Sequence, residues 1–156
     1  MKRTVIVGIA GIACAALAGA AIAANRMAHR DPNQVYQLIT GKVDRLMNEI
    51  NATDAQRAQI NQLKDKLFKE GMDLRQNRQS LRAQLFANWD AAQVNASDVH
   101  AQVDKQVDAW RAFAHDAADA SIQLHDLLTP DQRTQLKQIL SKQFDHAHGM
   151  QQSEQE

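Results

Sequence analysis

The amino-acid sequence predicts an all-α protein, and three features carry that prediction. Pro32 and Pro130 are the two prolines, and the chain between them is rich in Ala, Gln, Leu, Lys, Arg and Asp and poor in β-branched and aromatic residues, a helix-favouring composition. Apolar side chains recur along it at steps of three and four, the period of a helix face. The same helix-start pattern, Thr followed three residues later by Gln, occurs at Thr53-Asp54-Ala55-Gln56 and at Thr129-Pro130-Asp131-Gln132.

The N-terminus has the layout of a secretory signal peptide: Met1-Lys2-Arg3, an uncharged span over 4–24, then a polar chain from Asn25. Ala21-Ile22-Ala23 puts small residues at the positions a signal peptidase inspects, so cleavage is expected after Ala23, with Ala24 the close alternative. The span is long enough to remain as an uncleaved inner-membrane anchor, but it consists mostly of Ala and Gly, with its strong aliphatics between Val5 and Ile12. A lipoprotein signal ending at Cys14 is disfavoured, because Gly11-Ile12-Ala13 lacks the large aliphatic residue three places ahead of the cysteine. The expected organisation is a signal peptide over 1–23, an N-terminal segment over 24–33, a helical domain over 34–144 and a disordered polar tail over 145–156, with the mature protein in the periplasm.

Cys14 is the one cysteine and leaves with the signal, so the mature chain has neither disulfide nor thiolate ligand and is held by packing alone. Removing Lys2 and Arg3 leaves 18 − 2 = 16 basic against 18 acidic residues. A net charge of −2 argues against a nucleic-acid partner.

The first helix, expected over 34–51, shows one apolar face: Val35, Leu38, Ile39, Val43, Leu46, Met47 and Ile50. The second, expected from Thr53 to about Trp89, carries a narrow heptad-like stripe of Ile60, Leu63, Leu67, Leu74, Leu81 and Leu85. So thin a face on so long a helix demands a lengthwise partner. After a break near 88–96, the partner is expected over 97–128, with Val103, Trp110, Ala117 and Leu124 interleaved with Val107, Ala114, Ser121 and Leu128 as its pairing surface. Charge supports the hairpin, since 57–82 holds seven basic and three acidic residues while 98–126 holds six acidic and two basic. A fourth helix is expected from Pro130 to about Phe144. Thin amphipathic helices bury little apolar area in a chain this short, which points to a homodimer.

The two repeated segments read as helix N-termini. Thr53 and Thr129 are N-caps, Asp54 and Asp131 sit where the helix dipole favours a negative charge, and Gln56 and Gln132 are placed to bond back to the cap. Pro130 stands at the first helical position, where its missing N–H costs nothing. With Leu128, Thr129 and Gln132 as one full copy of Leu-Thr-x-x-Gln, and Thr53 and Gln56 as a second copy in which Ala52 replaces the leucine, the chain resembles the Spy/CpxP family of periplasmic proteins over roughly 34–143. The resemblance implies an antiparallel homodimer, a cradle of four-helix long hairpins, that binds unfolded or misfolded envelope proteins without ATP.

The residues are compatible with that role. Lys64, Lys66, Lys69, Arg75, Arg78 and Arg82, interleaved with Leu67, Met72, Leu74, Leu81 and Phe86, would offer charge attraction and adaptable apolar contact on one helix. We expect Lys64, Lys69, Met72, Arg75, Arg78, Arg82 and Phe86 to form the client-binding surface. Two other readings stay open. His146 and His148 in the tail, or His115 with Asp119 one turn apart, could hold zinc, nickel or cobalt in a metal sensor; or the basic face could inhibit the periplasmic domain of a sensor kinase, as some members of the family do. An enzyme is not expected, for lack of any convergent acid, base or nucleophile.

Overall fold

A computed structural model describes residues 31–90 and 93–152, with side chains to residue 142. Four helices follow one another: α1 Pro32–Glu49, α2 Asp54–Ala87, α3 Ala96–Leu127 and α4 Pro130–Gln152. They pack antiparallel, with α2 and α3 as a long hairpin and α1 and α4 folded back at its base. The expected signal over 1–23 lies outside the described residues, and among those described no helix is long and apolar enough to cross a membrane.

Helix α1 starts at Pro32, two residues earlier than expected, because the Asp31 carboxylate accepts the Asn33 N–H at 2.9 Å and Pro32 supplies a preset φ. It ends in a tight reversal at Asn51, whose φ of 51° is the left-handed conformation. There the Ala52 N–H reaches the Met47 carbonyl at 2.9 Å and the Asn51 N–H that of Asn48 at 3.1 Å. This Schellman arrangement satisfies the last carbonyls of α1 and turns the chain into α2.

The core lies at that end. Met47, Ile50, Ala52 and Leu128 are buried together, with Val43, Ile60, Leu124, Leu136 and Ile139 against them. Leu67 and Leu74 continue the burial along α2, but Leu81 is half-buried and Leu85 is 40% exposed. The leucine stripe therefore fades from base to tip.

Two expectations need correction. Val103, Val107, Trp110 and Ala114 do not face α2. The seam toward α2 is instead formed by Val99, Gln102, Gln106, Ala109, Phe113, Asp116 and Ala120, all at least half-buried, a heptad rotated about 100° round the helix from the apolar one. Lys66 to Asp116 at 2.7 Å is an ion pair that crosses this seam, whereas Lys69 and Arg111 pair within their own helices with Asp73 and Asp108. The second correction is at the C-terminus, where α4 runs to Gln152 instead of ending near Phe144. The polar residues after 144 include good helix formers, and Gly149 costs a helix only about 1 kcal/mol.

Candidate functional site

At the base of the hairpin the two helix starts face each other. The Thr53 N–H donates to Gln56 Oε1 at 2.9 Å and the Gln56 N–H to Thr53 Oγ1 at 3.3 Å. Thr129 and Gln132 repeat this at 3.0 and 3.3 Å. Both glutamines are buried, and their side-chain amides bond reciprocally: Gln56 Nε2 donates to Gln132 Oε1 at 2.9 Å, and Gln132 Nε2 to Gln56 Oε1 at 3.1 Å. Each amide has one further use for its N–H. Gln56 Nε2 reaches the Leu127 carbonyl at 2.9 Å, and Gln132 Nε2 the carbonyls of Ile50 and Asn51 at 3.3 and 3.4 Å. Every donor and acceptor of the pair is used, as burial requires.

Besides capping their own helices, the glutamines clasp the α1–α2 turn to the α3–α4 turn. Arg57 and Arg133 complete the arrangement. Arg57 donates to the carbonyls of Ala52 at 2.9 Å and Met47 at 3.2 Å, and Arg133 to that of His125 at 3.2 Å. Each guanidinium thus closes the end of the preceding helix, where a cation is favoured. Their signal was visible as the arginine that follows the glutamine in both copies.

Above the clasp, α1 covers one face of α2. Tyr36 packs edge-on against Phe68 with ring centroids 5.1 Å apart. The Lys64 ammonium donates to the hydroxyls of Tyr36 at 3.1 Å and Thr40 at 2.9 Å, sits 4.4 Å from the Tyr36 ring centre, and pairs with Asp65 at 3.1 Å. Lys64 is 6% exposed, so it joins α1 to α2 and does not stand on an open basic face. Burial pulls its pKa down, but the bonds to Tyr36 and Asp65 outweigh that and hold it above the ordinary lysine value. Asp65 is held below the usual carboxylate value, chiefly by the Tyr36 hydroxyl.

The sign of the linkage follows. A raised lysine pKa contributes stability that is fully present below the unfolded value, about 10.4, and is lost as pH rises through the folded one. Urea unfolding should show stability falling above that pH in the wild type and falling less in a Lys64→Met variant. Equal alkaline losses in the two would remove Lys64 as the cause.

Beyond the reach of α1 the same face of α2 continues uncovered. Arg75 is half-buried, Arg78 and Arg82 are exposed, and the Arg82 guanidinium lies 5.4 Å from the ring centre of Phe86, itself 65% exposed. Trp89, 81% exposed, and Val94, 54% exposed, extend this surface round the hairpin tip; the sequence reading missed both by treating 88–96 as a mere break. Met72 is half-buried, and Lys69 is exposed beside Asp73 at 2.8 Å, about 120° round the helix from Arg75. Arg75, Arg78, Arg82 and Phe86 thus share one face of α2, with Trp89 just past its end, and Lys64 and Lys69 stand apart from them.

The distal hairpin is loosely filled. An open groove of about 240 Å³ runs between Asn77, Ser80 and Gln84 on α2 and Gln102 and Gln106 on α3, and the buried Gln106 Nε2 has no hydrogen-bond partner among the described residues. The side chains of His146 and His148 lie outside the described residues. His115 and Asp119 are exposed, and among the described residues no three metal-ligating side chains converge.

Compared with known families, residues 38–140 match the model of the LTXXQ motif family. That stretch contains both helix starts and the whole hairpin. No curated protein and no solved structure matched the chain.

Proposed function

The chain belongs to the LTXXQ motif family, and on that premise we propose that it is an exported, non-catalytic, dimeric chaperone of the periplasm that binds unfolded envelope proteins without ATP. The observation that supports this reading is the exposed surface of the distal hairpin, where Arg78 and Arg82 stand beside Phe86 and Trp89. Large aromatic side chains exposed at one end of a hairpin mark an interaction surface. The guanidinium groups attract a partly unfolded chain over distance, and the rings then hold its apolar segments.

The groove and the fading leucine stripe suit an adaptable binder. Few apolar contacts hold the distal hairpin, so it adjusts more readily than the base. The family resemblance and the signal-peptide layout of 1–24 support the periplasmic address.

Aggregation kinetics of two unrelated unfolding clients test the proposal. The protein should suppress aggregation without nucleotide, with capture slowing as salt shortens the screening length to about 8 Å at physiological ionic strength. A variant carrying Arg78→Ser, Arg82→Ser, Phe86→Ser and Trp89→Ser should lose most of the suppression while its helicity stays unchanged, since these side chains are exposed. Absence of suppression by the wild type at several-fold molar excess would discard the chaperone reading.

A further inference from the structure

Past the reach of α1 the outer face of α2 passes from charged to apolar along its length. Arg75, Arg78, Arg82 and Phe86 follow at steps of three and four on one face, with Trp89 just past the helix end. Over 74–89 there are three arginines and no acidic residue, and over 83–97 Asp90 is the one charged residue. Exposure climbs toward the tip, from 40% at Leu85 to 65% at Phe86 and 81% at Trp89, and Val94 across the turn is 54% exposed. Asn77, Ser80 and Gln84, which line the groove toward α3, stand on the opposite side of α2, so α3 and its acidic residues lie behind this face.

We propose that the distal hairpin docks on the surface of an anionic phospholipid bilayer, with Trp89 and Phe86 entering the interface while Arg82 and Arg78 meet the phosphates. The order of groups along the helix is that of a bilayer surface. At 1.5 Å per residue Arg82 stands roughly 10 Å behind Trp89, and the headgroup layer is roughly 5–8 Å deep. With the Trp89 ring at the acyl boundary, where tryptophan is favoured, the Arg82 guanidinium reaches the phosphate layer along its own flexible stem. Arg78, one turn further back, reaches it once the hairpin tilts toward this face.

A partner helix laid along this face would need apolar groups through its whole length. Here arginine fills the first three positions, so the face is no helix-pairing seam. An aromatic end backed by cations instead matches an interface in which an apolar layer and a phosphate layer are stacked in that order. Each arginine near an anionic leaflet strengthens binding about fivefold, and the Arg82 guanidinium, 5.4 Å from the Phe86 ring centre, brings charge and ring to the surface together. Asp90, exposed beside Trp89, opposes that attraction. Lipid docking and client capture share this surface, and vesicle binding is measured with no client present, so either reading can fail without the other.

The test is flotation of the protein, purified in the form the cell produces, with vesicles of phosphatidylcholine alone and of phosphatidylcholine and phosphatidylglycerol in equal parts. A Trp110→Phe background leaves Trp89 as the one tryptophan. The protein should float with the mixed vesicles and not with phosphatidylcholine alone, be released as salt rises, and show Trp89 emission shifted to the blue when bound. Arg78→Ser with Arg82→Ser should weaken binding roughly tenfold or more, whereas Asp90→Asn should strengthen it severalfold. Helicity should stay unchanged in both variants, since these side chains are exposed. Absence of flotation with the mixed vesicles would overturn the proposal. So would Trp89 emission that stays unmoved on vesicles that do carry the protein, because the contact would then lie on another segment, and so would binding indifferent to the arginine pair.

Discussion

Replacing Gln56 by Glu is expected to destabilise the fold by about 3 kcal/mol, although Glu has the same shape and a capping box by itself takes Glu as readily as Gln. A carboxylate at this position would keep the bond from the Thr53 N–H and gain from the helix dipole. It would lose the two donations that Gln56 Nε2 makes, to Gln132 Oε1 and the Leu127 carbonyl, and would place a negative oxygen against both acceptors in a buried site. Gln132→Glu should behave alike, facing the Ile50 and Asn51 carbonyls. In either variant the new carboxyl, raised in the folded state by burial and by the oxygens around it, should regain a proton first as pH falls, so part of the loss should be recovered in mildly acidic solution. Urea unfolding at neutral and acid pH measures both effects. If Gln56→Glu matched the wild type at neutral pH, the amide pair would contribute nothing beyond the two caps.

That test separates what the sequence displays from what it conceals. Four helices and their order were legible, because Pro32, Pro130 and the two Thr-x-x-Gln starts are local signals that act within a few residues. Local chemistry also explains why Asn88 to Asn95 interrupts the hairpin: the Asn95 side chain accepts the Ser97 N–H at 3.0 Å to begin α3. The reciprocal bond between Gln56 and Gln132 was not legible, since it joins residues far apart in the chain and each already had a sufficient local role as a cap partner. Nor was the burial of Lys64. A lysine in a basic run reads as solvated until Tyr36 and Thr40 are seen to close over it.

The largest misreading was rotational. Periodicity and hydrophobicity assigned two interleaved heptads of α3 to the hairpin, Val103, Trp110, Ala117 and Leu124 with Val107, Ala114, Ser121 and Leu128. In the structure the neighbouring heptad through Gln102, Gln106 and Ala109 faces α2 along the distal hairpin. Polar side chains, Asn77, Ser80 and Gln84 with Gln102 and Gln106, stand in that distal seam beside Leu81 and Ala109, so it is a weaker apolar contact than the base. The base differs, because there Leu124 and Leu128, at the end of α3, do turn inward into the cluster of Met47 and Ile50. The chain thus divides into a clasped, apolar base that holds the fold and a polar-seamed arm whose apolar groups face outward.

Leu128→Ala is the second substitution with a large expected effect, about 2–5 kcal/mol of lost stability. Leu128 is 4% exposed and lies in the buried cluster with Met47, Ile50 and Ala52, directly ahead of the Thr129 cap. Its removal leaves a cavity close to the Gln56–Gln132 pair, which the Schellman turn at Asn51 and the two capped helix starts keep from collapsing. The other copy of the motif carries Ala52 at the equivalent position, 7% exposed in the same cluster. The small residue there and the large one at 128 share one apolar space, so Ala52→Leu alone should overpack it and cost about 1–3 kcal/mol. Combining Ala52→Leu with Leu128→Ala conserves side-chain volume across the cluster and should recover part of the loss, a non-additivity expected of residues that share a cavity. Thermal unfolding of the two single variants and the double gives the cycle. Strict additivity would show that the two motif leucine positions pack independently, and that the clasp joins the helix turns through its amides and not through a shared core.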